Sequence, residues 1–558
     1  MFLTRLNAAL TGNQESWTFI GHPGWRQDHD GLIYPPVWSY GSFDPDPARV
    51  PNLYAHELAR EDYAFLTAAA LGDTDVSVDY KCPYGAVLHG GIVFRAADSA
   101  CCYVLDVNDL GRKAQAYELA LWVQDAAGVR RLLASAVRPH SVVPERIVQQ
   151  GVRTRSEWDH SSPDWVRLRV QASGSYIRVS MDGQIACELR DDTYPVGCAG
   201  LVARGSVCFR NLQVEGTPEE PKQPWHAHAG ELPRFFYPGT AQPEGFNAYP
   251  VVCRSEDGLT LVAWSHRPRT GGGVASVVLT CSADEGQSWS RPAAILSRAG
   301  SHCAPTSLFA HRDGTLSCLV AFAPDSQAGA VTLVLRSRDQ GRSWVEGGEL
   351  ALAGRPLSSL QHTHLYSPML RQSDGSVVMC GYEADSSRGD DNSRRRDRSR
   401  LFRSADDGIT WQEPVYLDPA NFDHNECMVA EVAPGRLVAF MRTLRAVNMW
   451  TSRSADGGHI WSRLAQSEIS AECPCLLAHR SGTLILGSRG AGTFLRLSPD
   501  GGQTWGGLFR LSPASAMMGM AEMADGRVLV VMHEGYRVPG NVRGQYFRVT
   551  PDGPVACP

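Results

Sequence analysis

In the second half of the chain, polar residues stand at the ends of apolar runs, where a buried strand would carry none. His362-Thr363-His364-Leu365-Tyr366 opens one run, and Tyr382-Glu383 closes its partner. Asp423-His424-Asn425-Glu426 opens another, which ends at Arg442. Glu472 opens a third, which ends at Arg489, and His266-Arg267 and His533-Glu534 close two more. Carboxylates, imidazoles and phenols pass protons, and a guanidinium fork pairs with a carboxylate through two hydrogen bonds. Gathered on one concave face, this set is suited to acid/base chemistry on a ligand with anionic character. A mutually paired polar channel is the alternative for any single member, but burying the whole set without use would be costly. The pair His362 and His364 alone is too weak a signal for a metal site, so neither metal nor cofactor is expected.

The elements that must position these residues are repeats. Ser282-Ala283-Asp284-Glu285-Gly286-Gln287-Ser288-Trp289 returns at Ser337–Trp344, Ser404–Trp411, Ser454–Trp461 and Ser498–Trp505, at intervals of 44 to 67 residues. A worn copy stands at Thr550-Pro551-Asp552-Gly553. Such a period marks a repeat architecture. The Asp can bond backbone N–H groups of its own turn, Gly supplies positive φ, and Trp anchors the turn by its apolar area. Each copy therefore reads as the tip of a β-hairpin.

A second turn signal precedes every copy: Asp257-Gly258, Asp313-Gly314, Asp374-Gly375, Pro434-Gly435, Ser481-Gly482 and Asp525-Gly526. Six units of four antiparallel strands predict a six-bladed β-propeller over 247–558. In each unit the glycine turn joins strands one and two, and the box joins strands three and four. Both turns then lie on one face, and the polar residues above lie on the other, around the axis. The charged run Asp385–Arg400 reads as a solvated insertion in blade three.

The rest of the chain bounds the answer. Its 558 residues exceed one ordinary core. A net charge of -6 gives no reason to expect nucleic acid, and no apolar run is long enough for a membrane helix. No secretory signal is read at the start, and the fifteen cysteines are scattered through apolar runs. That pattern suits free thiols in a reducing, cytoplasmic setting, with secretion as the alternative. Residues 1–61 read as an extension packed on the domain after it. Residues 62–216 read as all-β, with alternation along Trp165–Gln171 and a hairpin signal at Asp182-Gly183. Residues 217–246 have linker composition.

The order of motifs in 62–216 resembles the concanavalin A-like lectin/glucanase jelly rolls, which implies a β-sandwich that docks or binds glycan. The five boxes on a propeller are similar to the sialidase superfamily. The stretch Asn425-Glu426-Cys427-Met428-Val429-Ala430-Glu431 through Arg442 resembles that family's Asn-Glu-Pro segment. The resemblance implies that Glu426 activates a nucleophile and that Arg442 and Arg489 clamp a substrate carboxylate, with Glu534 matching the family's closing Glu. Three family features lack a counterpart, among them the acid Asp, for which Arg267–Val274 offers none. Ala248-Tyr249-Pro250 stands where the first clamp Arg is expected, and Ala516-Met517-Met518 has no Tyr where the nucleophile is expected.

The expectation is a divergent glycoside hydrolase that removes a terminal acidic sugar from an oligo- or polysaccharide. Its catalytic candidates are Glu426, Glu534, His364, Tyr366 and Tyr382. Its substrate-binding candidates are Arg442, Arg489, Arg267, His362, His424, Glu472 and His533. Two readings compete. One is a lyase on uronate glycans, with His364 or His424 as base and Tyr366 or Tyr382 as acid. The other is a glycan-binding propeller without catalysis.

Overall fold

The computed structural model divides the chain into two compact units, Met1–Pro233 with Leu508–Ser515, and Arg234–Gly507 with Ala516–Pro558. The structure describes residues 2–5, 17–21, 25–27, 32–34, 61–81, 89–109, 116–139, 165–204, 207–220, 225, 245–268, 274–299, 302–323, 331–360, 363–384, 396–420, 423–443, 448–490, 492–513, 515–533 and 542–557. Among them the regular structure is strand apart from a 3-10 turn at Leu357–Ser359.

The first unit is antiparallel and pivots on one long strand, Asp62–Lys81. That strand pairs with Val166–Ser173, Gly197–Arg204 and Cys208–Pro218. Alternation sets the faces. Val166, Leu168, Val170 and Ala172 are buried with Val76, Val78 and Phe209, while Arg167 and Arg169 between them meet Asp79 and Asp75. Asp182 and Gly183 both take positive φ, 50° and 76°, as a tight hairpin turn requires. The pairing joins the strands into one continuous antiparallel network, so it carries the all-β expectation without displaying jelly-roll connectivity.

The strand Leu508–Ser512 belongs to this first unit. Phe509 and Arg510 pair with Arg131 and Arg130 of Arg130–Pro139. Arg510 is buried and donates to Asp106 Oδ2 at 3.0 Å and to Glu61. Arg130 is paired with the same two carboxylates. Its burial lowers its proton affinity, but Glu61, Tyr63 and Asp106 more than restore it.

The second unit has a propeller arrangement. Five blades are complete, with inner strands Gly245–Arg254, His302–Ala310, Thr363–Leu365, Asn425–Ala433 and Met518–Glu522. Between the last two, Glu472–Ala478, Leu484–Arg489 and Thr493–Ser498 pair in sequence. The segment expected as the fourth strand there, Leu508–Ser512, is the one grouped with the first unit, where two buried carboxylates hold its arginine. The expected six complete blades are thus corrected to five.

The repeated turns are built as their composition requires. In the first, Gly286 N–H donates to Ser282 Oγ at 2.8 Å, Ser288 N–H donates to Asp284 Oδ1 at 2.9 Å, and Trp289 Nε1 donates to Gly286 O at 3.1 Å. The turns at Ser337, Ser404, Ser454 and Ser498 repeat the Ser-to-Asp and Gly-to-Ser bonds. Arg254, beside the Asp257-Gly258 turn, reaches Glu285 of the box at 2.6 Å, which puts both turns at one end of the blade.

Apolar cores fill the spaces between successive sheets. The first and last blades meet through Val252, Val262 and Trp264 against Ala521, Leu529 and Val531. Gly519 lies against that seam; a Cβ there would stand 3.2 Å from Val252 N and 3.3 Å from Pro250 O.

Candidate active site

The inner strands are irregular where the polar residues sit. Their ladders slip between Ala248 and Val251, between Asn425 and Met428, and between Glu472 and Cys475. At each slip a residue other than glycine is left-handed: Tyr249 at φ 55°, Glu426 at 45° and Cys473 at 51°. A bulge re-aims a side chain at the cost of local strain, and strain of this kind gathers at functional sites. Asp423, just before Glu426, is left-handed too, at 78°. It accepts from the hydroxyl of Thr443 at 2.6 Å, and its amide donates to Asp397 O at 3.1 Å. Asn425 donates to the Asp397 carboxylate at 2.7 Å. This buried frame sets the backbone that presents Glu426.

Four charged groups and a thiol come together there. Arg442 Nη1 donates to Glu426 Oε1 at 3.0 Å, and Arg442 Nη2 lies 3.4 Å from Glu472 Oε2. Arg489 Nη2 lies 3.7 Å from that same Glu472 oxygen. Cys473 Sγ donates to the other Glu426 oxygen at 2.9 Å. Register explains the meeting: Glu472 is paired across the ladder with Arg489, and Asn425 with Arg442.

Burial lowers the proton affinity of both arginines; Glu426 and Glu472 outweigh it at Arg442, and Cys473, Glu426 and Glu472 together outweigh it at Arg489, so both are held well above the ordinary range. The Cys473 thiol is pushed far up, first by burial and then by the Glu426 charge. It is therefore a hydrogen-bond donor here and not a nucleophile. Tyr366 donates to Pro474 O at 3.4 Å. Burial, then the neighbouring Cys473 and Glu426, raise its hydroxyl well above the phenol range, so it too keeps its proton.

The other sequence candidates fall in different places. His364 is exposed, and its ring stacks on Tyr382 with centroids 5.3 Å apart. His424 is fully buried, and its Nδ1 accepts from the Ser399 amide at 3.0 Å, a position in the frame of the blade. His533 is buried as well, with Nε2 accepting from the Met517 amide at 3.0 Å. Arg267 is half-buried near the end of its strand, opposite Phe246. Glu534 and His362 lie outside the described residues.

Glu383 is held by Arg398 at 2.9 Å, by Arg400 at 2.7 Å and by the Tyr416 hydroxyl at 2.9 Å. Burial raises its proton affinity, but Tyr416 and the two arginines bring it below the ordinary value. Arg398 and Arg400, expected in a solvated loop, thus stand in the strand Arg398–Ser404 and lock this carboxylate. Sequence reasoning missed Cys473, Asp397 and Thr443. Only the position of Cys473, directly after Glu472 at a strand opening, could have pointed to it.

The arrangement defines a class before it defines a chemistry: a repeat propeller with a charged cluster at the ends of its inner strands. Residues 258–515 match the BNR repeat-like domain. No curated protein matches the chain. Among solved structures it is similar to a protein of unknown function from Dyadobacter fermentans, at 20% identity and a TM-score of 0.45, covering 55% of this chain and 95% of that one. It is also similar to the NanB sialidase of Streptococcus pneumoniae, at 11% identity and a TM-score of 0.45, over 85% of this chain and 94% of that one. A leech intramolecular trans-sialidase matches at 12% identity and a TM-score of 0.45, over 86% and 94%.

Proposed function

We propose that the chain is a glycoside hydrolase that removes a terminal sugar from a glycan, with Glu426 and Glu472 as its carboxylate pair. The observation that carries this reading is the Arg442 guanidinium, which faces Glu426 at 3.0 Å and Glu472 at 3.4 Å. Hydrolysis of a glycoside needs one carboxyl group to donate a proton to the leaving oxygen and another to stabilise or attack the developing cation. Glu426 accepts from Arg442 and from Cys473, so it is the acceptor member, suited to the cationic anomeric carbon or to activating water. Glu472 is the more exposed, at 39% of its side chain; it rests ionised between the two arginines and takes a proton from solvent before passing it to the leaving oxygen. Tyr366 keeps its proton, which favours a reaction without a phenolate nucleophile. Two free arginines would call for a carboxylate-bearing sugar; in this site both already face Glu472.

The test is a product assay over a panel of terminal glycosides with wild type and Glu426→Gln. Release of a reducing sugar, with kcat cut on the order of a thousandfold in the variant, is the expected result. The stacked His364 and Tyr382 favour one second reading, a base and acid pair for a uronate lyase. Absorbance from an unsaturated uronate, undiminished in Glu426→Gln, would establish that reading instead. Binding without turnover would make the propeller a lectin.

A further inference from the structure

We infer that Glu472 is a built-in counter-ion that fills the arginine clamp, so that the sugar this site accepts is uncharged. The inference rests on the hydrolase reading for the face involved and names its substrate class.

Four observations converge. A single oxygen, Glu472 Oε2, bridges both guanidinia, 3.4 Å from Arg442 and 3.7 Å from Arg489. Glu472 is also the more exposed partner, 39% against 21% and 20% for the arginines. The carboxylate thus covers the arginines on the solvent side, where the carboxylate of an incoming sugar would have to arrive. The other fork of Arg442 is taken by Glu426 at 3.0 Å, so two positive groups already hold two negative ones. Finally, the bulge between Glu472 and Cys475, with Cys473 at φ 51°, fixes where the strand sends Glu472.

An acidic sugar would have to expel Glu472 and leave its carboxylate without a cation beside the ligand's own charge. Displacing an internal partner in this way is how a site rejects a competitor. A neutral sugar meets no such cost, because its hydroxyls can donate to Glu472 and leave both ion pairs in place.

The experiment measures binding apart from turnover. Free glucuronate and free N-acetylneuraminate are titrated calorimetrically into wild type and into Glu472→Gln at low ionic strength. In parallel, neutral and acidic nitrophenyl glycosides are assayed for release. Wild type is expected to bind neither acid, and Glu472→Gln to bind at least one with an affinity at least about tenfold higher, in a salt-sensitive way. Affinity of wild type for either acid that Glu472→Gln leaves unchanged or weakens would overturn the inference. So would wild-type turnover of an acidic glycoside. The wild-type titration needs no variant to fold, and Glu472→Gln is scored only where its melting temperature matches wild type. Failure to cleave any glycoside, with the acids still excluded by wild type and admitted by the variant, would sink hydrolysis and leave the exclusion standing.

Discussion

Cys473 donates its thiol proton to Glu426 Oε2 across 2.9 Å, from the inner strand of the next repeat. Both residues are left-handed, at φ 51° and 45°, so the two bulges are what bring sulfur and carboxylate together. The thiol is buried and held protonated, which makes it a fixed donor. Cys473→Ala should lower kcat by about tenfold, the worth of one hydrogen bond to a charged group. Cys473→Ser, which keeps a donor, should retain most of the rate. Steady-state kinetics with both variants checks this, and the native thiol should resist alkylating reagents until the protein unfolds.

Glu426, Arg442 and Arg489 were legible in the sequence because each interrupts the polarity pattern of its strand. The same pattern could not reveal Cys473, which looks like one more apolar residue until the bulge turns it toward Glu426. Nor could periodicity show that Glu383 is consumed by Arg398, Arg400 and Tyr416, since those arginines read as part of a solvated run. The count of complete blades failed for a related reason. Leu508–Ser512 has the pattern of a fourth strand, but it also pairs with Arg130–Pro139, and its Arg510 bonds Asp106, 404 residues earlier.

That long-range bond is testable. Arg510 is 3% exposed and shares Asp106 and Glu61 with Arg130. Replacing one member of a buried ion cluster strands the remaining charge, at a cost of about 3–5 kcal/mol. Arg510→Met should therefore shift the urea midpoint of unfolding sharply down. Combining it with Asp106→Asn, which removes one stranded charge, should recover part of the loss. Equal destabilisation in the single and double variants would show that the cluster is not coupled.

Acid should loosen the repeated turns at a specific place. The Asp284 carboxylate is lowered from 3.8 to about 2 by the Ser288 hydroxyl and amide, with help from Ser282. A depressed carboxylate contributes its stability fully above 3.8 and loses it as pH falls through about 2. Asp284→Asn, which imitates the protonated state, should melt lower than wild type at neutral pH. The gap between the two melting temperatures should close as the pH falls toward about 2. A gap that stays constant across that range would separate Asp284 from the acid sensitivity of the fold.

The two arginines should not behave alike. Arg442 bonds Glu426 at 3.0 Å and lies 3.4 Å from Glu472, whereas Arg489 comes within ion-pair distance of Glu472, at 3.7 Å, and feels the Glu426 charge without bonding it. Arg442→Ala removes the donor that orients the charge-stabilising carboxylate, so kcat should fall on the order of a hundredfold to a thousandfold. Arg489→Ala frees Glu472 but leaves the Arg442–Glu426 bond in place, so KM should rise about tenfold while kcat changes by a few-fold. Because both arginines act on the same Glu472 oxygen, adding Glu472→Gln to Arg489→Ala should cost less than the sum of the two changes. Additive losses in that double-variant cycle, measured in kcat/KM, would mean that Glu472 and Arg489 act independently and that the clamp is not closed from within.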